Sequence, residues 1–216
     1  MKNHQILNQT GRSMVEMLGV LAIIGVLSVG AIAGYQKAMY KYRLNKFTAG
    51  YDQLLGYAIT LSEQLEASTS SSSIDRTSLL NKLNLIPEGF TYNESDKKIY
   101  DMFGNQIIFF TRYGYNYTWA LRIILDNGDH VQDHCIAIIR IAQAYNDQLI
   151  NILRQDSTSE NYQSKALYGE KPYPAGSTAT RPSSSTLSTV TMSQIRSFCQ
   201  DTTSFGNTSY NIHMLW

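Results

Sequence analysis

The chain has 216 residues, and its 18 lysines and arginines are balanced by 17 aspartates and glutamates, with only 16% of positions charged. That balance speaks against a nucleic-acid groove, which needs a basic excess to displace counterions from phosphates. The length bounds the chain to one ordinary domain plus a membrane segment, and 15 tyrosines among many Ser, Thr and Asn give a polar, lightly charged surface that tolerates contact with its own copies.

Met1 to Gly11 is short and polar. Glu16 then opens a run from Met17 to Gln36 that contains no charge at all. As a helix this run spans about 30 Å, one hydrocarbon core. Lys2 and Arg12 flank it on the N-terminal side, so the positive-inside rule places that end in the cytoplasm and everything after Lys37 outside. Ala31-Ile32-Ala33 before Gly34 also fits a signal-peptide cleavage site. Against that reading stand the acidic residue at the head of the run and a length beyond the 7–15 residues usual for a signal sequence.

Tyr40, Leu44, Phe47, Tyr51, Leu54, Ala58, Leu61 and Leu65 then recur at spacings of three and four, a sustained helical stripe. No proline separates it from the apolar run. One helix from about Ser13 to about Glu66 is expected, apolar all round in its first half and amphipathic in its second. The serine tract from Ser70 to Ser73 follows its end.

The residues from Gly11 to Lys37 resemble the type IV pilins and related pilin-like proteins of bacteria. Gly11 fits the last residue of the leader, Arg12 the first mature residue, Ser13 the hydroxyl position and Glu16 the glutamate five residues after the cut. The resemblance implies that a prepilin peptidase cuts between Gly11 and Arg12 and methylates the new amine of Arg12. It further implies inner-membrane storage, a pilus assembly machinery, and a filament of the chain's own copies. Arg12 departs from the Phe or Met usual there, and Ala33 stands where many relatives carry proline.

The physics of Glu16 runs beside the resemblance. A carboxylate in a membrane or a helix bundle costs several kcal/mol unless paired. The amine exposed on Arg12 of one subunit pairs with Glu16 of the next in a staggered stack and sets its register, as a buried polar residue does in a coiled coil. Gly25, Gly30 and Gly34 are the expected close-approach positions, the last two forming GxxxG. Small residues are also simply common in membrane helices.

Further along, a short helix is expected from Ile74 to Leu85 with Asp75 as its N-cap, stopped before Pro87. Gly89 to Tyr100 reads as loop with some extended structure. The segments 98–101, 106–113 and 117–125 read as an antiparallel meander, and Asp126 to Asp129 as a turn capping a helix from His130 to Arg154. Gln155 to Thr191, serine-rich with three prolines, reads as a surface loop. Met192 to Gln200 reads as a final helix, and Tyr210 to Trp216 as a last strand tied into the sheet.

Cys135 and Cys199 are the only cysteines. In an oxidising compartment they pair most simply with each other, and similar carboxy-terminal disulfides occur in the pilins. Two free thiols are the alternative. His130 and His134 are four apart beside Asp129 and Asp133, a spacing that can hold a metal. HExxH is absent, and a solvated helix start is the plainer reading. There is no GxSxG, phosphate-cradling loop or nucleophile–base set, so no enzyme activity, cofactor or metal is expected.

These readings converge on an α+β protein, a long N-terminal helix packed on an antiparallel head. Residues 1–11 form a leader, 12–37 the membrane and assembly half of the helix, and 38–216 an extracytoplasmic head. The expected role is a filament subunit, with a major pilin first and a minor pilin or secretion pseudopilin second. The rivals are a single-pass binding or sensing domain that never polymerises and a protein secreted after Ala33.

Overall fold

A computed structural model describes residues 14–65, 73–112, 118–126, 130–156, 164–173, 186–200 and 209–216. The chain divides into two compact units, residues 1–43 and 44–216. Helix α1 runs from Met14 to Gln64 without a break, within two residues of the expected ends. Hydroxyls inside it fold back onto the helix: Ser28 donates to the Ile24 carbonyl at 2.7 Å, Thr48 to Leu44 at 2.8 Å and Thr60 to Gly56 at 2.9 Å. Each of these hydroxyls is thereby satisfied within the helix itself.

The head begins with the second half of α1. Phe47, Tyr51, Leu54, Ala58 and Leu61 of the expected stripe are buried, and Leu44 and Leu65 pack at its margins. Gly50 lies on the same face, where a β-carbon would stand 2.5 Å from Cε1 of the buried Phe90 ring. Gly50→Ala is therefore expected to lower head stability by about 1–2 kcal/mol, because overpacking outweighs the gain in helix propensity. A urea midpoint at or above that of the parent contradicts this.

Eight strands form one sheet among the described residues, and every pairing within it is antiparallel. They are β1 (Ile74–Asp75), β2 (Thr91–Asn93), β3 (Lys98–Tyr100), β4 (Gln106–Arg112), β5 (Thr118–Asp126), β6 (Asn151–Asp156), β7 (Ser164–Tyr168) and β8 (Ser209–Leu215). Their order is β2-β3-β4-β5-β8-β6-β7, with β1 also on β4. The expected meander is present as β3, β4 and β5. Since β5 pairs with the whole of β4, β1 and β3 must share the other edge, β3 at residues 106–107 and β1 at 110–111. Between them the buried Thr77 hydroxyl accepts from the Phe109 amide at 2.9 Å, filling the gap in the ladder.

Strand alternation sends Ile107 and Phe109 into the main core with α1, while Ile108 and Phe110 join a smaller cluster with Ala120, Ile150, Leu153 and Leu215. β8 is inserted between β5 and β6, the arrangement expected for the apolar C-terminal stretch. Trp216 exchanges backbone hydrogen bonds with Trp119. Its indole Nε1 donates to Ser62 Oγ of α1 at 2.7 Å. Phe109 stacks against both tryptophans, with centroids 5.1 and 6.1 Å away.

Three expectations need correction. The stretch from Ile74 is not all helix: Ile74 and Asp75 pair with β4, and helix α2 is Thr77–Lys82. Asp75 still serves its start, accepting from the Thr77 amide at 2.8 Å. The helix expected to Arg154 ends sooner. α3 is Val131–Ala144, and Leu153 lies on β6. A turn at 145–148 breaks the chain, and the buried Leu149 and Ile150 lead into β6, an interior strand whose residues 151–154 are buried on both faces.

The expected loop 155–191 contains the end of β6, all of β7 and a short 3₁₀ helix, Leu187–Thr189. β7 is held through backbone pairing with β6 rather than by an apolar side-chain pattern. Helix α4, Met192–Cys199, matches its expectation. A capping box between Thr191 and Gln194 starts it. The expected capping residue Asp129 lies outside the described residues, and His130 occupies the cap position of α3 without a side-chain cap bond.

Candidate functional site

The first half of α1 carries the most distinctive surface on the chain. An 18-residue window there has a mean hydropathy of 2.4 and none of it is buried. Met14, Val15, Val26 and Val29 are each 70–83% exposed. By length and composition this segment can cross a membrane. Glu16 sits exposed in the first turn, and among the described residues it has no ion-pair partner. A β-carbon placed on Gly25, Gly30 or Gly34 would meet nothing within 4 Å. These positions are shallow notches open to an approaching helix. Gly11 and Arg12, the expected cleavage residues, lie outside the described residues.

Family models and curated proteins yield no match to this chain. Among solved structures, a type IV b pilin from Salmonella typhi is similar at a TM-score of 0.44 and 11% identity, over 77% of this chain and 95% of that one. At that level the likeness adds nothing to what the chain's own elements show: a long apolar N-terminal helix and an antiparallel sheet.

In the head, the expected Cys135–Cys199 disulfide is formed and ties α3 to the end of α4. Its partners are 64 residues apart, so opening it releases about 4 kcal/mol of chain entropy to the unfolded state. Cys135→Ser/Cys199→Ser is expected to lower the urea-unfolding free energy by that order. An unchanged midpoint contradicts it.

Arg154, only 2% exposed, reinforces the same place. Its Nη1 donates to the carbonyls of Phe198 at 2.5 Å and Gln200 at 2.8 Å. These carbonyls lie at the C-terminal end of α4, where a helix offers unpaired acceptors and partial negative charge. No residue pattern signals this role, since the local spacing places Arg154 at the end of a helix.

Asp101 organises the other side of the core. This buried carboxylate accepts from Tyr51 Oη at 3.0 Å, from Asn105 Nδ2 at 2.7 Å, and from the amides of Phe103 and Asn105 at 2.8 and 3.0 Å. Burial, reinforced by Asp101, holds the Tyr51 phenol well above the ordinary range. Sequence reasoning misses Asp101. Its signal is the run from Asp101 to Gly104, an acid opening a turn whose glycine takes a φ of +87°.

His130 and His134 have different surroundings, and Asp129, adjoining them in sequence, lies outside the described residues. No cluster able to hold a metal occurs among the described residues. His134 is buried, its ring stacked at 4.9 Å on Phe47 and 4.3 Å from Phe103. Burial pushes its imidazole below the ordinary range, so it serves the core as a neutral aromatic. His130 faces Asp133 at 3.8 Å.

Proposed function

We propose that this chain is a structural subunit of a type IV pilus-like filament, stored in the inner membrane and polymerised by helix packing. The observation that carries the reading is the fully exposed apolar half of α1 with a single carboxylate at its head. A helix of that kind has two stable environments, lipid or a bundle of its own copies, and the second explains the acid.

Cleavage between Gly11 and Arg12 by a prepilin peptidase creates an α-amine four residues before Glu16. When the amine of one subunit meets Glu16 of another, the two helices are offset by about 6 Å along the axis. The pair relieves an uncompensated charge that otherwise costs several kcal/mol. Gly25, Gly30 and Gly34 let the helices approach closely enough for the contact to form. A major pilin is the first choice, supported by the large polar head. A minor pilin or secretion pseudopilin is the alternative, and abundance in sheared filaments separates them.

Terminal sequencing of the mature protein is the test. A chain beginning at a methylated Arg12 supports the filament subunit. One beginning at Met1 points to a single-pass binding domain, and one beginning at Gly34 to a secreted protein. Either of the last two outcomes overturns the proposal.

A further inference from the structure

Beside the main core, the second half of α1 and helix α3 leave a groove of about 680 Å³. Thr48, Ala49 and Asp52 line it from α1, and Asp133, Ala137 and Arg140 from α3. Thr48 and Asp52 are four apart with Ala49 beside them, and Asp133, Ala137 and Arg140 are spaced by four and three, so each wall is a single helical face. Ala49 and Ala137 project only a methyl group and leave a narrow slot between the larger Leu44, Ile136 and Ile141, and the Thr48 hydroxyl is turned back onto Leu44. Asp52 and Arg140 are exposed at the rim. Asp133, facing His130, has half of its side chain in solvent.

The same chain carries a surface that fits this groove. Just past the apolar run, α1 presents Lys37 and Lys41 on one face, flanking the small pair Gly34 and Ala38, and all four are exposed. A helix with small residues along its ridge seats deeply in a slim groove. Its two lysines then meet a rim on which Asp52 and Asp133 outnumber Arg140.

We propose that the groove between α1 and α3 receives the segment 34–41 of a second copy, with Lys37 and Lys41 set against Asp52 and Asp133. This rests on the filament reading and adds a second contact to it. Bringing Lys41 of one copy level with Asp52 of another requires an axial offset of about 16 Å. The Glu16 contact requires about 6 Å. The groove therefore engages a different neighbour, and each subunit is held at two separate places.

Cysteine cross-linking in the full-length protein tests this. Along one helix, Lys41 and Asp52 are too far apart for a bond within the chain, since a disulfide needs α-carbons within about 7 Å. Sheared filaments of Lys41→Cys/Asp52→Cys, oxidised in place, are expected to run as a covalent ladder of dimers, trimers and higher multiples. Each single variant is expected to give at least tenfold less. Monomer alone, or a product containing a protein of another mass, overturns the groove contact while the filament reading stands.

A charge exchange covers the case in which the double-cysteine protein does not assemble. Asp52→Lys/Asp133→Lys is expected to reduce filament yield at least fivefold, and adding Lys37→Asp/Lys41→Asp to restore it. Undiminished yield, or failure of the exchange to restore it, overturns the contact. Absence of filaments from the parent strain itself overturns the filament reading, and the groove contact with it.

Discussion

Glu16→Gln is expected to reach the membrane at the parental level and to reduce the yield of sheared filament at least tenfold. The substitution keeps the side chain's size and removes only its charge. Insertion cannot suffer, because a carboxylate in a membrane helix opposes insertion, by up to about 3 kcal/mol at the helix centre, and an amide opposes it less. Assembly does suffer. The amine on the neighbouring Arg12 then enters the bundle without its counter-charge, and breaking a buried pair from one side costs about 3–5 kcal/mol. Even the lower figure exceeds a hundredfold in the equilibrium for each contact. Glu16→Asp retains the charge on a shorter stem and is expected to fall between parent and amide. Immunoblots of membrane and sheared fractions, normalised to each other, give the readout. Parental filament yield from the amide variant would remove the basis of the proposed function.

The second large effect lies in the head. Gly169→Ala is expected to destabilise it by more than about 3 kcal/mol, enough to shift most of the protein into inclusion bodies or degradation products. A β-carbon at Gly169 would stand 2.0 Å from the Leu149 carbonyl oxygen and 2.8 Å from that of Asn146. Both are backbone atoms, so no side chain can swing aside. The chain would have to separate, and three hydrogen bonds hold it there. The Gly169 amide donates to Ile150 at 3.0 Å, Glu170 to Asn146 at 2.7 Å and Lys171 to Leu149 at 3.2 Å. Large losses of this kind belong to overpacking against a part that cannot yield. Soluble head with a urea-unfolding free energy within about 1 kcal/mol of the parent contradicts the argument.

These two sites also differ in how far the sequence announces them. Helix α1 is legible because an unbroken apolar run passes into the three-four stripe of Tyr40 to Leu65 without a proline, and that stripe agrees with the tertiary burial. The cysteine pair and the tie of the C-terminal strand are legible for similar reasons: only two cysteines are present, and the terminal residues are conspicuously apolar. Leu149 and Leu153 mislead, being four apart as on a helix. An interior strand buried on both faces loses the alternation that identifies strands. β7 escapes notice because it adheres through main-chain groups that carry no side-chain signature. Gly169 belongs to the same class, since only the approach of a distant backbone makes it special. The proposed assembly surface is legible in residue type, through Glu16 and the glycines. The α1–α3 groove is not, because it depends on where α3 lies against the head's part of α1.

The three-residue strand β2 has a consequence for crowding. It closes one border of the sheet, and on the opposite border β7 is partly capped where Tyr168 bridges Thr186. A neighbouring polypeptide therefore finds little template on which to zip by strand addition, the route to amyloid-like fusion. In the proposed filament, heads of this design can stand shoulder to shoulder at very high local concentration and remain separate molecules, leaving cohesion to their helices.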